Sequence, residues 1–282
     1  MKDSRRLTLF VFGLGLALVP VMATSQNIGE RRESFHREDG STVEVRILSA
    51  SPNDVRLRVL HAATVVGDRS SSTSLFAIAG TPDLARPRKR ERFLLSAGFS
   101  AYRTDVPVGL LISDGRLQSP VDASPPRAQA AVGCAAAARS KYRFSGLLCV
   151  GSESDTWKIL PTADYKPGQC KEAVQSGPLL VEPGGEPGVC QDASRGSNVP
   201  YARLAACIDS AGGLHMVLTG PTSLYSFSQW LATGPLKCNV ALNLSGAEEA
   251  GIVHLPSWRN LMPSRWGGVD APLASALILE TR

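Results

Sequence analysis

The run Ser245, Gly246, Ala247, Glu248, Glu249 sets two adjacent carboxylates directly after the apolar segment NVALNL. In a cleft, such a pair could move a proton or hold a cation; on an open loop it is simply solvated, and both readings stand. Ser96 and Ser245 carry hydroxyls that need a neighbouring base before they can attack anything, and no recognisable motif sets a histidine beside either. The four histidines are His36, His61, His215 and His254. His215 falls inside a strand pattern and reads as a strand residue. His254 follows the acidic turn, close to Trp258 and Arg259, and is a candidate for the same cleft. Trp258 and Trp266 read either as ordinary loop or core tryptophans or as platforms for a sugar ring.

Six cysteines, at 134, 149, 170, 190, 207 and 238, contain no C-x-x-C and no Cys/His cluster. Disulfides are therefore expected and a metal site is not. Fifteen pairings are possible; the expectation is that sequential neighbours pair, with Cys170 and Cys190 bracketing one hairpin.

The elements that must position these residues follow from periodicity. Residues 1–25 have the charged, apolar, small-residue order of a secretion signal, with Lys2, Arg5 and Arg6 ahead of LTLFVFGLGLALVPVM and then ATSQN. Cutting is expected after Ala23 or Ser25, which leaves an exported chain, periplasmic or extracellular, without a stable membrane span. Ser4, Arg5 and Arg6 also match a twin-arginine signal. Loss of this segment lowers the net charge from +5 to +3, too weak and too scattered for a nucleic-acid partner. The run from Arg86 to Arg92 reads as a solvated loop or as a contact for an anionic polymer.

Residues 26–40 are polar and read as a flexible entry arm, with one domain over 41–282. TVEVRIL and VRLRVL alternate as half-buried strands, either a hairpin or two successive strands. VGLLISDGRL is a strand, an Asp-Gly turn and a strand. Between Leu117 and Lys141 the chain reads as a surface excursion with one short helix through CAAAARS. FSGLLCV, AVQSGPLLVE, NVALNL and APLASALILE read as strands, and RLAACIDSAGGLHMVLTG as a strand, turn and strand. TSLYSFSQWLATG carries Leu224, Phe227 and Leu231 at helical spacing between an N-cap at Thr222 or Ser223 and Gly234. The class is α+β, a β-dominated single domain with a mixed sheet and few helices.

The ordered series SAGF from Ser96, PVGLLISDGRL, QSGPLLVE, ARLAACIDSAGGLHMVL, ALNLSG and APLASALILE resembles the phosphodiester glycosidase family over roughly residues 90 to 280. The resemblance implies a hydrolase of sugars linked to phosphate, with Arg203 holding the anion. Ser96, Gly98, Ser176, Gly177, Asn243, Ser245, Gly246 and His254 would line the substrate cleft. Two departures stand out: Ser96 replaces the family's usual Asn, and Ser245 stands where the family strand runs into Asp. Glu248 is the candidate replacement acid, although its added carboxylate would repel a phosphate by about 1 kcal/mol in a partly solvated turn. The alternative is an envelope protein that keeps the fold for binding or structure without catalysis. The expected ligand is a glycan or sugar phosphate; the cofactor and oligomeric state are left unspecified.

Overall fold

The computed structural model describes residues 28–67, 73–101, 104–125, 143–154, 156–191, 199–255, 257, 259–260 and 270–282. The signal segment, the CAAAARS helix, Cys134, Trp258 and Trp266 lie outside these residues. The chain enters through β1 (Ile28–His36), β2 (Thr42–Ala50) and β3 (Val55–His61), followed by three short helices at Ala62–Val66, Leu75–Ala79 and Pro82–Ala85. Next come β4 (Arg92–Ser96), β5 (Phe99–Ser100), β6 (Pro107–Val108), β7 (Leu111–Ser113) and β8 (Arg116–Ser119). The middle holds β9 (Gly146–Gly151), β10 (Trp157–Pro161), β11 (Cys170–Ser176) and β12 (Leu179–Val181). The last third is β13 (Tyr201–Ile208), β14 (Leu214–Thr222), the helix Leu224–Thr233, β15 (Val240–Gly246), β16 (Ile252–Leu255), β17 (Arg259–Asn260) and β18 (Ser275–Thr281).

These strands form a six-stranded sheet in the order β1-β2-β14-β13-β15-β12 and two five-stranded sheets, β10-β9-β11-β7-β8 and β17-β16-β4-β18-β3. A two-stranded pair, β5-β6, completes the set. All three large sheets contribute to one central core, including Leu48, Leu57, Leu95, Leu148, Val174, Leu204, Leu244 and Leu277. The outer face of the six-stranded sheet is covered by the helix Leu224–Thr233 through Phe227 and Leu231. The short helices cover the outer face of the third sheet through Leu75 and Ile78. Alternation of apolar and polar residues is what makes this possible, since each strand offers one face to the centre and the other to its own cover. The class is α+β with β dominating, as the sequence implied.

Several expectations hold in detail. The Asp-Gly turn between β7 and β8 has positive φ at Asp114 (51°) and Gly115 (72°), the geometry that suits a tight hairpin. Ser223 caps the long helix, its hydroxyl accepting from the Ser226 amide at 2.9 Å, and Gly234 ends it.

Three expectations need correction, and one pair of alternatives is resolved. Residues 28–36 are no arm: β1 pairs antiparallel with β2 along its whole length, with Ile28 and Phe35 buried in two different core clusters and the charged residues between them exposed or partly exposed. Of the two alternatives for TVEVRIL and VRLRVL, two successive strands is the one found, since β2 lies between β1 and β14 while β3 pairs with β18 in another sheet. Arg92 is not part of a solvated run; it is 1% exposed, and its guanidinium donates to the Leu84 and Arg86 carbonyls at 3.0 and 2.8 Å. The sequential disulfide scheme holds only for Cys207–Cys238. Cys149 instead bonds Cys170, because β9 and β11 are ladder neighbours and carry the two sulfurs 5.6 Å apart at Cα. Cys190 is also disulfide-bonded, but not to Cys170.

Candidate functional site

Arg203 and the end of β15 meet. Arg203 on β13 is the register partner of Gly246, and Leu204 of Ser245. Gly246 has an extended backbone, φ −157°, so its value here is not a left-handed turn. A Cβ on it would sit 2.8 Å from the Arg203 Nη1, so glycine provides clearance for the guanidinium. The left-handed residue is the next one, Ala247, at φ 55°.

Arg203 is 7% exposed. Its Nη2 donates to the Val199 carbonyl at 3.2 Å, and the guanidinium lies over the Tyr201 ring, 5.3 Å from its centroid. Among the described residues it has no carboxylate partner, and its Nε is buried without an acceptor. Burial pulls its pKa down to about 10 against a smaller opposing pull from Tyr201. A buried cation in this state is costly until an anion meets it. Two further unfilled atoms lie close by in the ladder. Thr219 faces Arg203 across β13 and β14, and its Oγ1 has no partner among the described residues. Asn243 faces Ala205, two residues further along β13, and its Oδ1 is in the same condition.

The acidic turn divides its two carboxylates. Glu248, the candidate from the sequence, is exposed, whereas Glu249 is half-buried at the end of the short 3-10 turn Ala247–Glu249. Burial pushes the Glu249 carboxyl up to about 7; the Ser100 hydroxyl, donating at 3.5 Å, pulls the other way, and neighbouring Glu248 adds to the rise. Glu249 is therefore partly protonated near neutrality, the condition for a proton donor at that pH. The sequence reading placed Glu249 in the turn but put Glu248 forward as the acid, because exposure within a 3-10 turn depends on what packs over it.

The segment Ser96–Ser100 lies beside this turn. Ser96 and Ser245 are both fully buried, and their hydroxyls hydrogen-bond to each other at 2.7 Å. The Ser96 hydroxyl also accepts from the Gly251 amide at 3.1 Å. Gly98, at φ 73°, passes so close to β11 that a Cβ would lie 2.8 Å from Val174 Cγ2. Ser100 then reaches Glu249. The two departures noted in the sequence thus face each other as a sealed pair, which fits neither as a nucleophile.

Ser176, Gly177 and Asn243 also converge, but on one another. Ser176 donates to the Asn243 carbonyl at 2.7 Å, and Asn243 Nδ2 donates to the Gly177 carbonyl at 3.0 Å. They latch β11 to β15. His254 is not brought to this place. It pairs with Phe93, three strand positions and roughly 10 Å from the Ser96 end of β4, and its ring contacts Ser257 Oγ at 2.9 Å and Glu91 at 3.5 Å. Among the described residues no cluster of His, Cys, Asp and Glu could hold a metal.

The family model for phosphodiester glycosidases matches residues 90–280. The chain belongs to the phosphodiester glycosidase family. It superposes on the catalytic domain of zebrafish N-acetylglucosamine-1-phosphodiester alpha-N-acetylglucosaminidase, auto-inhibited by its pro-peptide, with a TM-score of 0.57 and 16% identity over 92% of this chain and 85% of that one. A hypothetical protein from Synechocystis gives a TM-score of 0.59 and 15% identity over 91% of this chain and 62% of that one. At such identities the likeness shows the fold alone. No curated protein matches the sequence. The family stretch contains β4 through β18 except its last residue, and so includes every residue of the Arg203 site, while β1, β2 and β3 precede it.

Proposed function

We propose that this protein is an exported enzyme that binds a sugar phosphodiester and hydrolyses it, the phosphate held by Arg203 and the departing oxygen protonated by Glu249. The observation that carries the reading is the buried Arg203 guanidinium, without a carboxylate partner among the described residues, paired in the ladder with the strand end that leads into the Glu249 turn. A guanidinium out of water holds a phosphate oxygen through charge-assisted hydrogen bonds and gains where negative charge develops. An acid whose pKa is close to neutral is matched to protonating a leaving group there. Three disulfide-bonded cysteines beyond the Cys207–Cys238 pair, together with the signal-like first 25 residues, favour an oxidising compartment outside the cytoplasm. An envelope sugar phosphate is the ligand class that suits both facts.

A second reading, binding without turnover, is favoured by the Ser96–Ser245 pair, which occupies the positions of the family's Asn and Asp. Release of free sugar from a panel of sugar phosphodiesters separates the two. In the enzyme reading, Glu249→Gln lowers kcat about 100-fold or more, and Arg203→Ala raises KM as well as lowering kcat. Saturable binding without release, with turnover appearing only in the double variant Ser96→Asn, Ser245→Asp, would establish the second reading and remove the first.

A further inference from the structure

On the opposite end of the β13–β14 hairpin from Arg203, three side chains form a line that the family site does not use. His215 on β14 is the register partner of Ser49 on β2, and its Nδ1 lies 2.9 Å from the Ser49 hydroxyl. Its Nε2 lies 3.0 Å from Asp209 Oδ2. Asp209 sits in the hairpin turn, where the Ala211 and Gly213 amides donate to its other oxygen at 2.9 and 2.8 Å. Only glycine at 213 lets the carboxylate tuck in, since a Cβ there would lie 2.8 Å from Oδ2.

The hydrogen bonds fix the proton positions. Burial alone would raise the pKa of Asp209, but the His215 and Gly213 contacts outweigh it and hold the group below its ordinary value, as a carboxylate. A carboxylate can only accept, so Nε2 carries the hydrogen and Nδ1 is left as the acceptor for the Ser49 hydroxyl. This is the arrangement of an oriented base next to a hydroxyl. Access is provided on the other side of β2. Gly29 on β1 is the register partner of Ser49, and the space where its Cβ would stand is open to 4 Å. Ser49 and His215 are both partly exposed.

We infer that Ser49, His215 and Asp209 form a second reactive centre, with Ser49 the nucleophile towards small activated carboxylic esters. Ser49 Oγ attacks the ester carbonyl carbon while its proton passes to His215 Nδ1. The bond from that carbon to the alcohol oxygen breaks, and the departing oxygen takes the proton from His215. Water then adds to the acyl-serine, its proton passing through His215 to Ser49 Oγ as the carboxylic acid leaves. β2 is paired on both sides, with β1 and β14, so its amides serve the ladder rather than a developing oxyanion. The loss of one such donor typically costs ~100- to 1000-fold, which restricts the centre to esters with good leaving groups and excludes amides.

A fluorophosphonate probe tests this on the whole protein. Ser49 displaces fluoride from phosphorus, and the adduct is located by intact mass and peptide mapping. The expected result is one adduct on Ser49, absent in Ser49→Ala and formed ~100-fold or more slowly in His215→Gln. Asp209→Asn keeps the turn's amide acceptor but presents an amide hydrogen to Nε2, forcing the ring proton onto Nδ1. It is expected to slow labelling by ~100- to 10,000-fold with the fold retained by circular dichroism. No adduct on Ser49 in the wild type, or an adduct formed at the same rate in both His215→Gln and Asp209→Asn, would overturn the inference.

Discussion

A carboxyl group that is half-buried beside a second acid is destabilised when it ionises, and Glu249 is in that position. Its folded pKa of about 7 lies above the ordinary 4.5, so the folded state binds this proton more tightly than the unfolded chain does. The contribution to stability is thus fully present below about pH 4.5 and is lost as pH rises to about 7. With solvent screening of a partly exposed group allowed for, the loss is on the order of 1 to 2 kcal/mol. Urea titrations at pH 5 and pH 8 are expected to show that loss in the wild type, and Glu249→Gln is expected to remove it. A wild type and variant that lose stability equally over this window would place the Glu249 proton elsewhere. The same group illustrates where the sequence ran out. Residue type pointed to the 245–249 turn and the family resemblance to Arg203, and register then joined them. Between the two acids the sequence reading favoured Glu248, because the Ser100 contact that marks out Glu249 comes from a segment 149 residues away.

At the scale of elements, what is local was legible and what is long-range was not. The helix Leu224–Thr233 announces itself through its cap, its apolar stripe and its terminal glycine, and the β13–β14 hairpin through two apolar runs around a short polar turn. Nothing in TVEVRIL and VRLRVL says that the chain leaves one sheet for another between them. Period-2 alternation fixes which side of a strand is buried but not the neighbour it joins. The cysteines show the same limit. Cys207 and Cys238 tie β13 to the segment that follows the helix, which closes 31 residues of chain over the outer face of the sheet. By chain entropy such a closure stabilises by ~3 to 4 kcal/mol. Cys207→Ala with Cys238→Ala is expected to lower the unfolding free energy by about that amount. The readout is the urea midpoint under non-reducing conditions; a change below about 1 kcal/mol would mean that the ladder and helix already fix this segment without the bridge.

For the molecule as a whole, the decisive boundary is at the N-terminal end. Composition suggested that ordered structure starts at residue 41, yet β1 is the outermost strand of the six-stranded sheet and covers the free edge of β2. Its own outer edge bears Arg31, Arg32 and Glu33, charges that discourage pairing with another chain. Without it, the hydrogen-bonding edge of β2 would be bare next to Val43, Val45 and Ile47, all buried in the intact protein. A chain that begins at residue 41 is therefore expected to be less stable than one that begins at residue 26, and to self-associate. Light scattering coupled to gel filtration would show the larger species, and urea titration the lower midpoint. If the shorter chain is monomeric and equally stable, β1 is an accessory strand, and the folding unit is the shorter one that composition alone suggested. If it associates, the nine residues of β1 are an integral part of the sheet, and the unit extends beyond the family stretch to include the strand that carries Gly29.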